Sequence, residues 1–131
     1  MTGGLCLFAA GRLLAALPVA AFTLAWTHSV EKTRWLEQYR IEGARLVLEG
    51  AQVQGSGAGM EPAPGAQWRD GAWRWKPTLA PLAELRLAAS SYTADYELCS
   101  ARGCSALRAL TGALAPGTPV SVAACEAPVR P

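Results

Sequence analysis

The chain lacks most of the features that announce a chemistry. Its 131 residues include a single histidine, His28. No Cys-x2-Cys knuckle is present, so the four cysteines do not read as a metal site, and no metal or cofactor is expected. No Gly-x-Ser-x-Gly elbow is present, and Gly55-Ser56-Gly57 lacks the flanking residue that motif requires. No Gly-Lys-Ser/Thr follows the glycines, which excludes a Walker loop. Charged residues make up 17% and the net charge is +2. Apart from Arg69, Arg74 and Lys76, the basic residues are scattered singly. Nucleic acid, which wants a dense Lys/Arg stripe, is therefore not an expected partner. No internal repeat is visible.

Long hydrophobic runs are also missing. Leu5–Ala10 and Leu13–Phe22 are apolar enough to suggest a leader, but no positive segment precedes Arg12, and Arg12 interrupts the run. The stretch from Leu13 to His28 contains Pro18, Thr23 and Thr27. It falls short of the roughly twenty apolar residues a membrane-crossing helix needs. Val19-Ala20-Ala21 resembles a cleavage site, yet a hairpin is the better reading, with Leu5–Ala9 and Arg12–Leu17 around Ala10-Gly11.

What is present is period two. The length suits one domain with one sizeable core, taken as residues 1–126 with a tail at 127–131. Phe22, Leu24, Trp26 and His28 share one strand face, and Trp35, Glu37, Tyr39 and Ile41 share the next. Arg45–Val53 is a third strand, with Gly43 and Gly50 at bends. Gly55–Gly65 is a loop on turn chemistry. Asp70-Gly71 predicts a two-residue hairpin that pairs Trp68 with Trp73. Leu82–Ala88, Tyr92–Cys99 and Pro119–Cys125 read as further strands, although Leu82, Leu85 and Ala89 in the first also suit a helix. Leu107, Leu110 and Leu114 predict one helix over Ser105–Leu114, weakened by Gly112. The fold class is all-β, an antiparallel sandwich or small barrel with one short helix.

Cys99 and Cys104 form a natural local pair around a tight turn at Ser100–Gly103. Cys6 and Cys125 would then tie the chain ends together. Four reduced, buried thiols are the alternative.

His28 and Glu37 are the polar members of two apolar faces. A four-residue loop at Glu31–Arg34 would set Val30 opposite Trp35, His28 opposite Glu37, Trp26 opposite Tyr39 and Leu24 opposite Ile41. A slip of one residue would join opposite faces. A carboxylate beside a histidine raises its pKa and fixes its tautomer. A metal would need a third ligand from Glu31, Asp95 or Glu97. Ser29 faces the other side of its strand, a poor position for a dyad. A structural polar pair is the alternative role for His28 and Glu37. The Gly55–Gly59 loop could form an anion nest or simply bend the chain. Met60 could pack inside or meet a partner. Trp68, Trp73 and Trp75 alternate with Arg69, Arg74 and Lys76, as cross-strand packing or as an interface.

Three blocks carry a family resemblance: Phe22-Thr-Leu-Ala-Trp-Thr-His-Ser-Val-Glu-Lys, Trp35-x-Glu37-x-Tyr39, and Gly55-Ser-Gly-Ala-Gly-Met60-Glu-Pro. In this order and spacing the chain resembles the bacterial domain of unknown function 1850. That family is often encoded beside TRAP-type solute transporters of the TAXI class. The resemblance implies a non-enzymatic accessory role, with the transporter permease or its solute-binding protein as partner, in a membrane-associated, extracytoplasmic place. It carries over His28, Ser29, Glu37, Gly57, Gly59 and Met60 as candidate binding residues. Many relatives carry an apolar leader or anchor before the first strand, whereas this chain starts close to it. A β-barrel binding a small ligand is the alternative function, and a small hydrolase or metalloprotein the third.

Overall fold

Two short turns with left-handed backbone set the first and the most tryptophan-rich hairpins. In the computed structural model, which describes residues 2–27, 33–54, 65–87, 96–115 and 117–127, Ala10 and Gly11 have φ of 51° and 76°. They join β1 (Thr2–Ala9) to β2 (Arg12–Leu17). Asp70 and Gly71, at 53° and 79°, join β6 (Gln67–Arg69) to β7 (Ala72–Trp75). Positive φ at both central residues matches the right-handed twist of the flanking strands, which is why such turns favour Gly and Asp. Trp68 then faces Trp73 directly, and their rings meet edge to face at 5.4 Å. Both hairpins are as the sequence predicts.

The remaining strands are β3 (Ala21–Thr27), β4 (Arg34–Glu42), β5 (Arg45–Gln54), β8 (Leu85–Leu87), β9 (Glu97–Ser100), β10 (Gly103–Ala106) and β11 (Val120–Ala127). They form two antiparallel sheets. One has the order β2-β1-β11-β8 and the other β10-β9-β3-β4-β5-β7-β6. The sheets make an open sandwich and not a closed barrel, which removes the barrel alternative. Leu5, Leu7, Val120 and Val122 of the smaller sheet meet Phe22, Leu24, Tyr39, Leu46, Leu48 and Leu98 of the larger one in the core. Among the described residues no helix is long and apolar enough to cross a membrane.

Both disulfides form as the spacing predicts. Cys99 lies directly opposite Cys104 on the β9–β10 ladder. Cys6 faces Ala123 and Cys125 faces Gly4, so the Cys6–Cys125 bridge crosses the β1–β11 ladder diagonally.

Two expectations change. The helix α1 spans only Leu107–Thr111, shorter than the leucine spacing predicts. Ser105 and Ala106 belong to β10, because pairing Cys104 with Cys99 holds this segment in the ladder. Gly112, at φ 77°, then ends the helix. The register of β3 on β4 also differs. Trp26 faces Trp35, Leu24 faces Glu37 and Phe22 faces Tyr39, four residues away from the expected pairing. An even slip keeps every side chain on its own face, so apolar alternation could not separate the two registers. Ring packing separates them: Phe22 stacks on Tyr39 at 5.0 Å and Trp26 on Trp35 at 6.3 Å.

Candidate functional site

The seven-stranded sheet is wider than the sheet that covers it. Its inner face can be read in rows across the strands. One row runs Leu98, Leu24, Glu37, Ala51, Trp75, and the next runs Trp26, Trp35, Val53, Trp73, Trp68. Trp26 and Tyr96 pack against the core cluster at its border, with their rings 5.5 Å apart. Beyond them Trp35, Trp73, Trp75 and Trp68 continue the face outside that cluster. Trp35 and Trp75 meet edge to face at 6.3 Å across β5, where Ala51 offers only a methyl group. Trp68 is 50% exposed.

Glu37 sits in the middle of this aromatic face. Strand alternation puts it there, between Trp35 and Tyr39, as the sequence predicts. The Tyr39 hydroxyl, on a residue only 3% exposed, donates a 2.9 Å hydrogen bond to Glu37 Oε1. Burial among apolar side chains raises the Glu37 pKa, and the Tyr39 hydrogen bond opposes that rise. Desolvation of the charged form is the dominant cause. Tyr39 is pushed far up by its own burial and then by the Glu37 charge. Tyr96 is raised by burial and then by the same carboxylate. The result is a carboxylate held by one neutral donor, with no basic side chain against it among the described residues.

The opposite face of the sheet uses its charges differently. Arg34 donates to Glu97 at 2.9 Å and to Thr27 Oγ1, clamping β4 to β3 and β9. Arg40 pairs with Glu42, and Arg74 bonds Gln52 and the Arg69 carbonyl. An open groove of about 370 Å³ lies beside the Cys99–Cys104 bridge, lined by Thr23, Gln38, Glu49, Cys99 and Ser100. Glu97, Cys99 and Cys104 bring three donor atoms within 4.8 Å of one another. The two sulfurs are joined and Arg34 occupies Glu97, so this cluster offers no thiolate to a metal.

Of the residues expected to form the site, Glu37 and the four cysteines are described. His28, Ser29, Gly57, Gly59 and Met60, like Glu31 and Asp95, lie outside the described residues. The expected partner of Glu37 across the strand is replaced by Leu24. Tyr39, Tyr96 and Thr33 were not picked out from the sequence as polar members of the site. Tyr39 could have been, because a hydroxyl two residues from an acid on one strand face reaches it. Tyr96 could not, since its approach to Trp26 depends on how β9 joins β3.

A family described as a domain of unknown function, DUF1850, matches residues 22–107. No curated protein and no solved structure matches the chain. The matched stretch contains all but the first residue of the seven-stranded sheet, whereas β1, β2 and β11 lie outside it.

Proposed function

Because the chain belongs to the DUF1850 family, we propose that it is a non-enzymatic accessory protein of a TAXI-type TRAP solute transporter. It binds the permease or the solute-binding protein through the inner aromatic face of the seven-stranded sheet. The observation that carries this reading is the face itself. Five tryptophans, and a carboxylate with no basic partner among the described residues, lie on a sheet that the second sheet covers only in part. Tryptophan at an apolar-polar boundary anchors contacts, and such rings dominate interface energetics. The arrangement supports binding over turnover. Glu37 is held by a hydroxyl whose own pKa is raised, which leaves that hydroxyl a poor proton carrier at neutral pH.

The test has two parts. Deleting the gene in a strain that carries the transporter should abolish or strongly reduce substrate uptake. Purified chain with Trp35→Ala and Trp75→Ala should capture less permease or solute-binding protein from native membranes than the parent chain. Unchanged uptake together with unchanged capture would sink the reading.

A further inference from the structure

The chain has 12 basic and 10 acidic residues, so cations are not scarce. Arg34 and Arg40 nevertheless pair with Glu97 and Glu42, and Arg74 bonds neutral oxygens. None of the described cations pairs with Glu37, the carboxylate set among aromatic rings. Tyr39 satisfies one oxygen, Oε1, while Oε2 has no partner among the described residues. Thr33 supplies a second, independent irregularity. It is 8% exposed, and its hydroxyl has no hydrogen-bond partner among the described residues. Thr33 immediately precedes β4, two residues before Trp35 and four before Glu37. A buried polar atom without a partner costs free energy that a bound group can recover.

We infer that this face takes a small organic ammonium ion, with Glu37 as its counter-charge and the rings of Trp26, Trp35 and Trp75 as its walls. The inference rests on the reading of this face as a binding surface. The chemistry excludes the other ligand classes. An anion would meet Glu37 with no described cation to offset it. A hard metal ion wants several oxygen ligands, and Glu37 is the sole carboxylate among the described residues of these two rows. A neutral apolar ligand would deepen the desolvation of Glu37 and return nothing to it. An ammonium ion returns a charge-assisted hydrogen bond. It is also attracted to the face of tryptophan, the best of the aromatic partners for a cation.

The experiment uses the full chain with both disulfides intact. Benzylammonium, benzyl alcohol and benzoate are titrated at neutral pH, followed by calorimetry and tryptophan fluorescence. Benzylammonium is expected to bind at least about tenfold more tightly than benzyl alcohol, and benzoate not to bind. Glu37→Gln, which keeps the shape and the Tyr39 hydrogen bond, should weaken benzylammonium about tenfold or more. Trp35→Leu should weaken it several-fold. Near-ultraviolet circular dichroism confirms that each variant is folded. Equal affinity for benzylammonium and benzyl alcohol, unchanged by Glu37→Gln, would overturn the cation site and leave the binding face standing. Absence of binding by all three compounds, with transporter capture intact in Glu37→Gln, would likewise overturn it. If transporter capture also survives Trp35→Ala and Trp75→Ala, the binding face itself is lost.

Discussion

Replacing Tyr39 by Phe removes one oxygen and leaves everything else in place. The ring is almost fully buried and stacks on Phe22 at 5.0 Å with 10° between planes, and Phe retains that contact. The lost group is the O–H that donates to Glu37 Oε1 at 2.9 Å. A hydrogen bond to a charged acceptor contributes about 1.5–3 kcal/mol, against about 0.5–1.5 kcal/mol for a neutral pair. With Glu37 ionised, Tyr39→Phe should therefore cost about 2 kcal/mol, or a fall of about 8 °C in Tm for a domain of this size. The cost should shrink in acid. Once Glu37 is protonated its oxygens are weaker acceptors, and the penalty drops to roughly 1 kcal/mol or less. The assay is urea unfolding of both proteins, disulfides oxidised, at about pH 7.5 and again well below the carboxyl range. A loss of stability that is the same at both pH values would refute the reasoning. So would a loss below about 0.5 kcal/mol at neutral pH, since the hydrogen bond would then do nothing for the fold.

Glu37→Gln should act in the opposite direction. Burial raises the Glu37 pKa in the folded chain, so the native state binds more protons than the unfolded one between the ordinary carboxyl pKa and the raised value. Stability contributed by this group is thus full in acid and falls as pH rises through that window. The Gln variant should lack this decline and match or exceed the parent at neutral pH in thermal melts from pH 4 to 8; a variant less stable than the parent at pH 7 would contradict this. The two disulfides should differ in weight. Cys6–Cys125 closes a separation of 119 residues and Cys99–Cys104 one of 5. On loop-closure entropy, paired Cys→Ser replacements should cost about 5 and about 2 kcal/mol respectively, measured by urea unfolding; equal costs would argue against the entropic account.

The hairpins, the disulfide pairing and the faces of β3 and β4 were legible because each rests on a local rule. Asp70-Gly71 specifies its turn, and Trp68 meeting Trp73 follows from it. Cys99 and Cys104 are close enough in sequence to leave their partner in little doubt, and the remaining cysteines pair by default. The β3–β4 register was not legible. Period two separates odd slips from even ones and nothing finer, and the true pairing lies an even number of residues from the expected one. What decides it is the stacking of Phe22 on Tyr39 and of Trp26 on Trp35, which depends on ring shape and not on polarity. The same limit hid the partner of Glu37. A cross-strand rung with His28 looked complete, but a donor was already two residues away on the same strand.

The family match sharpens what the placement of Glu37 means. Residues 22–107 cover the wider sheet, with Glu37, Tyr39, Tyr96 and the tryptophans from Trp26 to Trp75. The strands that lie outside the match, β1, β2 and β11, make most of the smaller sheet. They close the core over Phe22, Leu24 and Leu98, and Cys6–Cys125 joins β1 to β11. Covering a core demands only apolar residues of suitable size, which many sequences supply. Holding a carboxylate among rings demands particular side chains at particular registers, because each oxygen it buries needs a donor. The family-matched segment thus coincides with the part of the fold that carries the exacting requirement. A face selected only for packing would more simply place Leu or Val at position 37, opposite Leu24. A half-buried carboxylate there costs stability in its charged form, and this is a cost that the binding proposed for this face would offset.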